Sequence, residues 1–155
     1  MAVQQSTAPV PSQRRFVAPD AHGTTAWTVR MWRTGVLACV AAAVATTAIS
    51  AVAKSAGVPV EIDGEPIPAI GFAQLTLLFS AMGVGLAYAL RRWAAAPKRA
   101  FFTVTAVLIV LSIVPDLLVS ATTATRLTLI TTHLVAAAIV VPLVAGRLPA
   151  RRQAS

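Results

Sequence analysis

The sequence has little of what chemistry in water requires. One cysteine, Cys39, occurs in 155 residues. No internal disulfide can form, and a place inside an apolar run suits a small buried side chain better than a redox centre. Charged residues are only 12% of the chain and apolar ones 57%, against roughly 25% and 45–50% in soluble domains. With a mean hydropathy of +0.76, that balance excludes an ordinary water-soluble globule and points to a membrane protein. Acids are scarcer than bases, five against 13, for a net charge of +8. Such a surplus serves nucleic-acid binding when it gathers on one soluble face or arm. Here the bases stand at the ends of apolar runs, so no nucleic-acid partner is expected. A Gly-rich phosphate loop, a metal-spaced Cys/His cluster and a nucleophile with its base are all missing from the pattern. Neither a cofactor nor an enzymatic activity is therefore expected. Residues Met1–Ala26 contain no apolar h-region and so do not read as a cleavable signal peptide. Their Pro, Ser, Gln and Thr content reads as a disordered tail.

What is present is a set of long uncharged runs. A helix crossing a bilayer needs about 20 largely apolar residues, and the intervals between charges supply four of them. These are "TGVLACVAAAVATTAISAVA", "AIGFAQLTLLFSAMGVGLAYAL", "AFFTVTAVLIVLSIVPDLLVSATTAT" and "LTLITTHLVAAAIVVPLVAG". The expected fold is all-α: a disordered cytoplasmic tail (1–26), a four-helix transmembrane domain (27–148) and a short basic C-terminal tail (149–155). The spans fall at about 34–53, 69–90, 100–120 and 127–146. Eleven bases flank one side: Arg14, Arg15, Arg30, Arg33, Arg91, Arg92, Lys98, Arg99, Arg147, Arg151 and Arg152. Only Lys54 and Arg126 flank the other. By the positive-inside rule both termini are expected in the cytoplasm, with the chain in the inner (plasma) membrane. Trp27, Trp32, Tyr88 and Trp93 sit near the cytoplasmic ends, at the level amphipathic rings prefer. Small residues such as Gly35, Ala38 and Ala42 in the first span, or Gly83, Gly85 and Ala89 in the second, let backbones approach closely. They suit a compact bundle and equally an oligomer, so the expected partners are the lipid bilayer and either further copies of the chain or another membrane protein.

The one charge inside a span is Asp116. Counting from Ala100, it lies about 24 Å along its helix, roughly 6 Å below the outer boundary of a core about 30 Å thick. Arg126 begins the returning span. His133 comes seven residues later, about 10 Å deeper and on the same helical face. Gln74, Thr47 and Ser50 reach a comparable depth. An ionisable group within a span faces the bundle interior and finds a partner. Asp116 is thus expected to pair with Arg126, His133 or both. Pro115 cannot donate to the carbonyl of Leu111, and the hydroxyl of Ser112 or a neighbour is expected to satisfy that carbonyl. The candidate polar layer is therefore Asp116, Arg126, His133, Gln74 and Ser112. One reading makes it a register pin that closes the outer end. The other makes Asp116 and His133 a proton or ligand site, because both can titrate near neutral pH once the carboxylate is desolvated.

In the outer loop "KSAGVPVEIDGEPIP", Glu61, Asp63 and Glu65 alternate and would share one face of an extended strand, while Asp63-Gly64 is a turn signal. Carboxylates on one face can hold a hard cation. Three acids without further ligands fall short of a calcium loop, and a solvated surface loop is the simpler expectation.

The stretches "WRTG", "GEPIPAIGFAQLT", "LSIVPD" and "ATRLTLITTHLVAAAIVVP", in this order, resemble a family of short four-span membrane proteins of actinobacteria, catalogued as a domain of unknown function. The resemblance covers roughly Trp32 to Leu148. It implies an integral membrane location and the four-span plan, and it assigns no activity to any residue. The leading expectation is a small polytopic membrane protein with a structural or interacting role. The alternative is a proton-coupled small transporter or channel subunit using Asp116 and His133, although that acid lies off the midplane where transporter sites usually sit. A membrane-embedded enzyme acting on a lipid or quinone near the outer leaflet is the third reading.

Overall fold

The computed structural model describes residues 21–151. The chain forms four helices, α1 (Ala21–Ser55), α2 (Ala69–Trp93), α3 (Pro97–Leu118) and α4 (Thr123–Ala145), with a two-stranded hairpin, β1 (Glu61–Ile62) and β2 (Glu65–Pro66), between the first two helices. All four helices are long and apolar enough to cross a membrane; the stretch of α1 that qualifies is Trp27–Ser55. The expected tail over 1–26 lies outside the described residues except for its last six, which belong to α1. Arg30 and Arg33 interrupt the apolar run without interrupting helicity, since arginine is a good helix former. Of the expected C-terminal tail, 152–155 lie outside the described residues.

Each helix stops where its local sequence says it should. Gly57, at φ +83°, closes α1. The N–H of Val58 bonds the Ala53 carbonyl and that of Gly57 the Lys54 carbonyl, both at 3.0 Å, which is the Schellman arrangement that favours glycine. Between α2 and α3, Ala96 precedes a proline and is held out of the helical region at φ −128°, and Pro97 opens α3. Thr122 caps α4 by accepting the Thr125 N–H at 3.1 Å.

Helix α1 is central and packs along both α4 and α2, while α3 leans on α4. Its buried face, Met31, Gly35, Ala38, Ala42, Thr46 and Ser50, recurs every three to four residues and is made almost entirely of small side chains. The closest approach is at Gly35, where a Cβ would lie 3.0 Å from both methyl groups of Val84. Cys39 is buried in the same core, as its setting in the sequence suggests. The outer faces of the helices carry exposed Leu, Val and Phe side chains, such as Leu37, Leu78, Phe79, Val110 and Leu118, as expected of surfaces that meet lipid.

The loop after α1 is a built cap. Asp63 (φ +53°) and Gly64 (φ +81°) form its turn, the positive pair that a two-residue hairpin favours. Register pairs Glu61 with Pro66 and Ile62 with Glu65. The reversal at Asp63-Gly64 corrects the single-strand picture of the acids: Glu61 and Glu65 stand on opposite faces of the ribbon, with Asp63 in the turn. Among the described residues no group of three or more acidic, His or Cys side chains is placed to hold a metal ion. Val60, fully buried, packs with Phe72 and Leu129 under the hairpin. The Asp63 N–H reaches the Ser120 carbonyl between α3 and α4 at 2.9 Å, and Lys54 Nζ donates to the Ile67 carbonyl.

Candidate functional site

The bundle thus has a hairpin end and a basic end, where the first and last described residues lie. Asp116 lies two residues before the end of α3, near the hairpin end, and is 8% exposed. His133, on α4, places Nδ1 2.8 Å from Asp116 Oδ2. When the carboxylate is ionised it offers only acceptors, and the imidazole then donates through Nδ1. This is the one salt bridge among the described residues. The antiparallel course of α3 and α4 brings together two groups 17 residues apart in the chain, as the depth argument expects.

Arg126 does not serve Asp116. Its guanidinium donates to the Val119 carbonyl at 2.9 Å, and Val119 is the C-cap of α3. The last carbonyls of a helix lack intrahelical partners and carry the negative end of its dipole. Arg126, starting the next helix, is therefore nearer to these orphan acceptors than a depth count along one helix reveals. Its Nε is buried without a hydrogen-bond partner among the described residues.

Ser112 is also spent elsewhere, donating to the Ile109 carbonyl at 2.8 Å rather than to the carbonyl that Pro115 frees. A serine hydroxyl in a helix reaches back three or four residues, which puts Leu111 out of its range. Gln74 is exposed and joins none of these contacts. It stands two positions after buried Phe72, about 200° around the helix, so its depth matches the layer but its face does not. Thr47 donates to the Ala43 carbonyl at 2.7 Å, and Ser50 Oγ is fully buried without a partner among the described residues.

The structure adds polar packing that reasoning from depth passes over. Thr46 of α1 and Thr76 of α2 share a hydrogen bond of 2.9 Å, joining two spans in mid-bundle. On α4, Thr125, Thr128 and Thr132 are all buried, a stripe spaced three and four residues apart. Thr128 and Thr132 donate to the carbonyls of Ala124 and Leu129 at 2.9 and 2.7 Å. That spacing is the signal by which the stripe could have been found.

At the basic end Trp27 is the hub. Its indole Nε1 donates to the Arg147 carbonyl at 2.9 Å, its ring stacks on Tyr88 at 6.1 Å, and the Arg91 guanidinium sits 3.7 Å above it. Arg147 Nε in turn donates to Thr34 Oγ1 at 3.0 Å. Of the aromatic residues read as interface markers, Trp27 and Tyr88 thus also tie α1, α2 and the end of α4 together, while Trp32 and Trp93 are exposed.

Four apolar helices pinned by one acid–imidazole pair, interhelical hydroxyls and an aromatic–arginine cluster define a multi-pass membrane bundle. Over residues 27–150 the chain matches the Family of unknown function (DUF6069), and it belongs to that family. The family's description carries no organism, membrane or activity with it. No curated protein and no solved structure matches the chain.

Proposed function

We propose that the chain is a non-enzymatic protein of the plasma membrane with both termini in the cytoplasm, acting structurally or by association with other membrane components, whether copies of itself or a different protein. The observation that carries this reading is the 2.8 Å contact of Asp116 with His133. It spends the one intramembrane acid on holding α3 to α4. The orientation is supported by the bases: Arg30, Arg33, Arg91, Arg92, Lys98, Arg99, Arg147 and Arg151 lie at one end of the described bundle, against Lys54 and Arg126 at the other. The motifs shared with the family resemblance support an actinobacterial source.

A second reading, proton-coupled transport, is favoured by one feature. The His133 side chain is 39% exposed, and its Nε2 makes no hydrogen bond among the described residues, so one ring nitrogen stays open to a ligand or to water. One experiment separates the two. Purified protein is reconstituted in vesicles under a pH gradient, and the same preparations are unfolded thermally in detergent. The structural reading expects flux no greater than in protein-free vesicles and a lower midpoint for Asp116→Asn. Flux through the native protein that Asp116→Asn abolishes would replace it with the transport reading.

A further inference from the structure

We infer that the α3–α4 face holds an anionic phospholipid from the leaflet at the basic end, with its phosphate at Lys98 and Arg99 and an acyl chain along the groove between the helices. Two adjoining cavities carry this inference. One, of about 380 Å³, is an apolar groove bounded by Phe102, Ala106 and Ile109 of α3 and by Ala138 and Val141 of α4. The other, of about 330 Å³, is bounded by Lys98, Arg99, Thr103 and Ala150. Phe102 lines both, so the basic recess and the apolar groove adjoin at that ring. From Phe102 to Ile109 the groove runs about 10 Å along α3, within the roughly 15 Å that one leaflet contributes to a 30 Å core. The small side chains of Ala106 and Ala138, both exposed, leave the groove its depth.

Charge decides which lipid fits. The side chains of Lys98 and Arg99 are exposed and make no hydrogen bond or ion pair with another described residue. The described acids, Glu61, Asp63, Glu65 and Asp116, all lie toward the hairpin end. Nothing of opposite sign in the described bundle competes for the two bases. A basic recess between helices at the interface is where an anionic headgroup gains most, and an apolar slot leading inward is what its chain requires. The inference takes only the membrane setting from the proposed function and nothing from the Asp116–His133 pair.

Full-length protein in a neutral detergent, titrated with phosphatidylglycerol or phosphatidylcholine and followed by its thermal midpoint, tests it. Each base near an anionic group contributes roughly fivefold in affinity, so phosphatidylglycerol is expected to bind roughly 25-fold tighter than phosphatidylcholine. Lys98→Gln/Arg99→Gln, at exposed positions, removes that preference. Arg30→Gln/Arg33→Gln, basic but not lining the recess, keeps it. Ala138→Phe, which fills the groove from an exposed position, weakens both lipids at least fivefold, and glycerol 3-phosphate alone gives no shift. Asp116→Asn leaves the lipid preference intact, so failure of the structural reading is told apart from failure of this one. Equal binding of the two lipids by native protein would overturn the inference. So would a preference that survives loss of Lys98 and Arg99, or one that disappears equally with Arg30 and Arg33, or a shift produced by glycerol 3-phosphate, or unchanged lipid binding in Ala138→Phe.

Discussion

The two ends of the bundle use their charged groups differently. At the hairpin end the bases and the intramembrane acid are turned inward onto the chain itself, Asp116 onto His133, Arg126 onto the C-cap carbonyl of α3 and Lys54 onto the Ile67 carbonyl, while Asp63 and Glu65 of the hairpin stay exposed. At the basic end Trp27, Tyr88, Arg91 and Arg147 are knitted into the bundle, while Arg30, Arg33, Lys98 and Arg99 stay exposed. The difference teaches how charge is handled at each depth. A group placed inside the hydrocarbon must find a protein partner, because no water replaces it. A group at the interface can keep water and lipid headgroups as partners, so its charge stays available.

Substitutions can break that comparison at several points, and the largest effect is expected where packing is tightest. Gly35→Leu drives a side chain into Val84, already 3.0 Å from where a Cβ would lie, and forces α1 and α2 apart. Overpacking of this kind costs about 1–3 kcal/mol or more, which thermal unfolding in detergent would register as the largest drop of the set. Asp116→Ala comes next. It strips a half-buried imidazole of its partner, and membrane hydrogen bonds of this sort are worth about 0.6 kcal/mol on average and up to about 1.7. Its midpoint is expected to fall measurably but by less than that of Gly35→Leu.

Two smaller losses compare the ends directly. Trp27→Phe keeps the stacking on Tyr88 and removes the indole donor to Arg147. Lys54→Met keeps the aliphatic stem and removes the donor to Ile67. Each is expected to cost about 0.5 kcal/mol, the low end for a single hydrogen bond, and only the Lys54 variant should become easier to cleave by protease within 58–67. At the bottom of the scale, Ser50→Ala removes a buried hydroxyl that has no partner among the described residues. Discarding an unsatisfied polar atom is neutral to mildly stabilising, by up to about 1 kcal/mol. A clear loss of stability in that variant would show that Ser50 works in a contact the account does not include.

How far the sequence speaks for itself follows from what each feature depends on. The four spans are legible because they need only length and the absence of charge, and Asp116 with His133 is legible because depth along two antiparallel helices is simple arithmetic. Gln74 and Ser112 fail the same arithmetic. Rotational phase, not depth, turns Gln74 outward, and a local backbone bond claims the Ser112 hydroxyl. Arg126 escapes it because its partner is a main-chain carbonyl, which no residue pattern displays. The start of α1 at Ala21 is hidden because helicity continues past charges that end the apolar run. The hairpin is half visible: Asp63-Gly64 announces a turn, but the docking of that turn onto Ser120 depends on tertiary placement. The Trp27 cluster joins residues 120 positions apart, beyond any local signal.

The most direct test of the idea that the buried acid joins two helices is a double-mutant cycle of Asp116→Asn and His133→Gln, read as unfolding free energy in one detergent. The pair of changes is expected to cost less than the sum of the single ones, with a coupling energy of about 0.6–1.7 kcal/mol. Strictly additive effects would contradict it, because the two side chains would then not be acting on each other.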